Sequence, residues 1–88
     1  MAESTGKQTP IGVSYRDYIA RSMPRVAKVE YDGAVAYGRD NWPKISREDN
    51  IEHAITHLFN ALIGAGQDDE LAHAACRVMM AIAKEELK

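Results

Sequence analysis

The sequence predicts an all-α fold, and three observations carry that prediction. Two stretches repeat apolar residues at helical spacing: Ile51, Ala54, Ile55, Leu58 and Leu62, then Leu71, Ala75, Val78, Met79 and Ile82. Between them lies a stop-and-start signal, Gly64-Ala65-Gly66 followed by Asp68-Asp69-Glu70. The single candidate β-hairpin, within 24–38, has no third strand to support it, and an isolated hairpin is marginal in water. The expected architecture is a small helical domain ending in an antiparallel helical hairpin at about 46–64 and 68–86. Shorter helices are expected within 14–38. Residues 1–10 are read as a flexible, disordered arm and 11–88 as one helical domain.

Each element follows from local chemistry. Ser14 is a candidate N-cap with Asp17 three residues on, and Tyr15, Tyr18 and Ile19 share one face of a short helix that Met23-Pro24 ends or kinks. Residues 24–38 read two ways. Asp32-Gly33 is hairpin chemistry, whereas Pro24 in a first turn and Gly38 as a stop frame a helix with Val26, Val29 or Glu30, Gly33 and Tyr37 on one side. The want of a third strand tilts the choice to helix. Gly38 to Arg47 is a loop containing Trp42, which suits either a lid over the core or a stacking platform for a ligand. Ser46 caps the next helix with Asp49 as its partner, and Asp68 is the expected cap of the last. The last helix is apolar on more than one face, since Cys76, Met80 and Ala83 lie off its main stripe. Such a helix needs more than one neighbour, so a homo-oligomer is expected, its close approach helped by Ala72, Ala74, Ala75, Ala81 and Ala83.

Composition narrows the function classes. The chain has 88 residues, 45% hydrophobic and 27% charged, with a net charge of −2 and one cysteine. A disulfide scaffold and a membrane span are excluded, and the N-terminal residues lack the apolar core of a signal peptide, so the cytoplasm is the expected location. Residues 1–50 carry eight Lys and Arg against seven Asp and Glu, and residues 51–88 three against six. Neither part has the basic excess of a phosphate-tracking nucleic-acid binder, so nucleic acid is not an expected partner.

The histidines all fall in the hairpin. His53 and His57 are four apart and share a face, as do Asp69 and His73. A His/carboxylate cluster of this kind suits a divalent metal. Helical angles place His57 about 120° and His73 about 160° from their apolar stripes. Across a simple hairpin those two rings are then not expected to meet, and flanking histidines with local hydrogen bonds are the alternative. Asp68, Asp69 and Glu70 are a compact carboxylate supply for Mg²⁺, or alternatively caps that complement a helix dipole. Cys76, amid Ala and Val, has no activating neighbour in the pattern.

The motifs Tyr37-Gly38-Arg39-Asp40-Asn41-Trp42, Ala54-Ile55-Thr56-His57-Leu58 and Leu71-Ala72-His73-Ala74 occur in an order that resembles the phage and prophage family of dATP/dGTP diphosphohydrolase N-terminal domains. The resemblance spans about 24–84. It implies an all-helical domain, a bacterial host cytoplasm, and hydrolysis of a purine deoxynucleotide to a monophosphate and pyrophosphate with Mg²⁺ or Mn²⁺. Carried onto this chain, it implies Asp68, Asp69 and His73 as catalytic residues. The metal would be held by His57, Asp69 and His73, and the purine nucleotide contacted by Asn41 and Trp42. Family members often have a histidine just before the Leu-Ala-His-Ala motif, where this chain has Glu70. A non-catalytic oligomeric module that binds a nucleotide or a host protein is the second reading.

Overall fold

The computed structural model describes residues 16–87, so the predicted arm at 1–10 and the predicted cap Ser14 lie outside the described residues. Three helices follow in order: α1 (Arg16–Tyr37), α2 (Arg47–Ile63) and α3 (Glu70–Glu86), with a 3-10 turn at Trp42–Lys44 between the first two. The ambiguity over 24–38 resolves to helix, and the expected shorter helices prove to be one 22-residue helix that runs through Pro24. A proline inside a helix removes one backbone donor and costs about 3 kcal/mol. Here Pro24 is exposed, on the side of α1 away from its buried Val26. Water can therefore reach the carbonyl the proline leaves unbonded. Gly38 ends α1 in the left-handed region at φ 92°, its N–H donating to Ala34 O at 2.9 Å.

The caps of α2 are as expected. Ser46 Oγ accepts from Asp49 N–H at 3.0 Å. At the other end Gly64 is left-handed, and Gly64 N–H and Ala65 N–H return to the carbonyls of Ala61 and Asn60, a Schellman closure. The start of α3 departs from expectation by one residue. Asp69, not Asp68, is its N-cap and accepts from Ala72 N–H.

α3 is the axis of the assembly. α2 packs antiparallel along it and α1 packs against it on another side, with no close backbone approach between α1 and α2. The ion pair Arg25–Asp69 ties the middle of α1 to the start of α3. Lys84 Nζ donates to Pro43 O at 2.6 Å and fastens the 3-10 turn to the far end of α3.

The α2–α3 seam overturns the expected packing direction. On α2 the buried residues are Asn50 and Ala54, not the larger aliphatics. On α3, Glu70, Ala74 and Ala81 are buried and repeat at helical spacing, and Arg77 between them reaches across to Asn50. Leu58 remains 49% exposed, Leu62 82%, Val78 44% and Ile82 57%. Asn50 is wholly buried and is the largest such side chain among the described residues. Its Nδ2 donates to Ser46 O at 3.1 Å and its Oδ1 accepts from Arg77 Nη1 at 3.1 Å, so burial leaves its polar ends partnered. α1 covers the side of α3 that carries Ala72 and Cys76, burying Val26. One of the surplus faces read from the sequence is therefore filled from within the chain.

Gly33 gives a direct check of α1. It lies in mid-helix, and a Cβ there would meet nothing within 4 Å. Gly33→Ala should stabilise the protein by about 0.5–1 kcal/mol, read as a rise in the urea midpoint. A fall would show that α1 is not helical at that position.

Candidate functional site

The chemistry-bearing residues gather where α2 ends and α3 begins. The turn 64–69 brings α3 back beside the last turns of α2, so His57 and Asn60 face Glu70 and His73 across the seam. Glu70 is only 9% exposed. Its Oε1 accepts from His57 Nδ1 at 2.8 Å and Asn60 Nδ2 at 3.3 Å, and its Oε2 from the Asp68 backbone N–H at 3.3 Å. Hydrogen bonding from His57 is the main reason its carboxyl sits below the usual carboxylate range, against the opposing effect of desolvation. An ionised Glu70 requires the proton on His57 Nδ1, which leaves Nε2 as the ring's free basic atom in the neutral imidazole.

His73 lies against His57, with ring centroids 5.0 Å apart and planes tilted by 31°. The expectation that these rings would not meet is therefore corrected. It measured their angles from the apolar stripes, and those stripes are not what faces the seam. Asp69 is committed elsewhere. Arg25 Nε donates to its Oδ2 at 2.8 Å and Arg25 Nη2 to its Oδ1, while Ala72 N–H takes up the capping role. The Arg25 hydrogen bonds pull its carboxyl down to about 2.

The predicted metal set of His57, Asp69 and His73 does not assemble. Asp69 is turned to α1, and His57 Nδ1 is spent on Glu70. Among the described residues no group of three or more His, Cys, Asp or Glu is arranged to hold a metal ion. These side chains do not fit the divalent metal the resemblance implies. Asp68 contributes its backbone N–H, and its side chain is exposed. His53 is exposed, its Nδ1 bonded to Asp49 O one turn back at 2.8 Å, and takes no part. Asn41 and Trp42 are half-buried in the loop fastened near Lys84, whereas His73 lies in the first turn of α3. That separation is about 16 Å along the axis, so the predicted base-contacting and catalytic residues occupy opposite ends of one helix. Cys76 is buried, and desolvation pushes its thiol up, which suits an inert packing role.

The sequence reading takes Glu70 only as part of a carboxylate supply or a dipole complement, not as the partner of His57, and it misses Arg25. A usable signal existed for Glu70: His57 and Asn60 are three apart, Glu70 and His73 are three apart, and a short turn separates the pairs. No comparable pattern marks Arg25, whose partner is 44 residues away.

Fold and site define an all-helical domain with a carboxylate-oriented histidine at the mouth of a helical hairpin. The chain belongs to the family described as dATP/dGTP diphosphohydrolase, N-terminal, whose family model matches residues 3–88. Comparison with curated proteins and with solved structures gives no match.

Two predictions follow the geometry. Gly66 is left-handed at φ 89°, and a Cβ there would sit 2.6 Å from Glu70 Cδ. Gly66→Ala should cost more than about 1 kcal/mol by urea unfolding, and an unchanged midpoint would contradict the packing of Glu70 on this turn. The second concerns acid. Asp69 titrates at about 2 in the fold against 3.8 when unperturbed, so between those values the unfolded chain binds more protons. The stabilisation is complete above about pH 4 and is lost as pH falls towards 2. Arg25→Gln should flatten the melting temperature profile in that window, and an unaltered slope would show that the pair does not form.

Proposed function

We propose that this chain engages a purine deoxynucleoside triphosphate at the His57–Glu70–His73 end of the hairpin and supplies an acid–base element for its hydrolysis to monophosphate and pyrophosphate. The observation that carries the reading is the Nδ1 of His57 pinned by a nearly buried carboxylate. That pairing fixes the tautomer, offers Nε2 to a water molecule, and stabilises the imidazolium formed when the water gives up its proton. Family membership supports the substrate class. Charge on the phosphates has to be neutralised by a group other than these side chains, since they do not form a metal set. The resemblance to a phage and prophage family supports, as part of the same proposal, a site of action in the cytoplasm of a bacterial host.

A second reading, a module that binds the nucleotide without cleaving it, is favoured by the commitment of Asp69 to Arg25. One experiment separates them. The purified chain is incubated with dATP, dGTP, dCTP or dTTP and Mg²⁺ or Mn²⁺, and both pyrophosphate release and the melting temperature are followed. The expected result is a purine-selective rise of several degrees, with pyrophosphate release that His57→Gln abolishes and Trp42→Ala leaves intact. A shift without pyrophosphate assigns the second reading. No shift and no turnover with any nucleotide sinks both.

A further inference from the structure

The largest unexplained feature lies on the flank of the hairpin away from α1. Ile51, Ile55, Leu58 and Leu62 on α2 follow one another at steps of four, three and four, and Leu71, Ala75, Val78 and Ile82 on α3 repeat the same steps. Alternating steps of four and three are the heptad rhythm of a helix that inserts side chains into a neighbouring helix. Among the described residues they have no such neighbour. Their large members are all exposed by between 44% and 82% apart from half-buried Ile51, and a shallow groove of about 290 Å³ runs between the two rows.

We propose that this face is the interface with a second copy of the chain, the two α2–α3 hairpins closing into a four-helix bundle. Two observations select a second copy as the occupant. The two rows have equal length and spacing, so the same face turned by a twofold axis presents matching rows. The area is sufficient. Nine exposed side chains (Ile55, Leu58, Phe59, Leu62, Ile63, Leu71, Val78, Met79 and Ile82) lie on or beside it. At about 100 Å² per fully exposed side chain they offer roughly 500 Å², close to the apolar share of the roughly 800 Å² each partner buries in a stable pair.

This inference stands apart from the nucleotide reading. It is tested on the full chain by light scattering after size exclusion and by sedimentation over a hundredfold range of concentration. The expected mass is twice that of one chain, with a melting temperature that rises with concentration. Leu58→Glu and Ile82→Glu should each halve the mass, while Val35→Glu, on exposed α1 surface, should leave it doubled. If the face variants do not fold, the concentration dependence of the unsubstituted chain decides. A monomer throughout the range overturns the proposal, as does a dimer that survives both face substitutions.

Discussion

Two helices that meet through alanine must carry their larger side chains elsewhere. That constraint governs this protein. α2 and α3 approach through Ala54, Ala74 and Ala81, and the remaining seam positions are polar: Asn50, in the first turn of α2, with Arg77, and His57 with Glu70 near the turn. Alanines stabilise such a seam only weakly through burial, since each removes little apolar area from water. Hydrogen bonds supply its register instead, because a slip along the seam would leave Asn50 or Glu70 buried without partners, and each unsatisfied group of that kind costs about 1–3 kcal/mol.

The same constraint creates the candidate site and the exposed face. Polar residues admitted to the seam become ordered by it, so His57 is oriented by a carboxylate that is itself held by Asn60 and by the backbone of the turn. α1 contributes from outside by taking up Asp69 through Arg25, which removes that carboxylate from any cluster with His57. The aliphatic rows displaced from the seam form the flank on which a second copy is proposed to pack. Site and interface thus lie on different sides of α3, which allows one to be altered without the other.

Much of the fold was legible from punctuation. Ser46, Gly38 and Gly64 mark helix ends because their backbone chemistry is local, and all three do so in the structure. The continuity of α1 was harder to read, because Pro24 is disruptive by itself and only its exposed position makes it tolerable. The site was legible in its residues but not in its pairing. Taking the apolar stripe as the packing face sets His57 and His73 apart, because their angles are then measured from it. Periodicity reports where the large apolar side chains point, not which neighbour they meet. Here the neighbour within the chain meets the small ones. The Arg25–Asp69 pair was illegible for a different reason: it depends on where α1 docks, which no local pattern encodes.

The claim most exposed to test is that hydrogen-bonded polar side chains set the α2–α3 seam. A double-mutant cycle on Asn50→Ala and Arg77→Ala, followed by urea unfolding at fixed protein concentration, measures it directly. The account predicts a coupling of about 1 kcal/mol or more between the two positions. Additive effects, agreeing within about 0.3–0.5 kcal/mol, would contradict it and leave the alanines alone to hold the hairpin together.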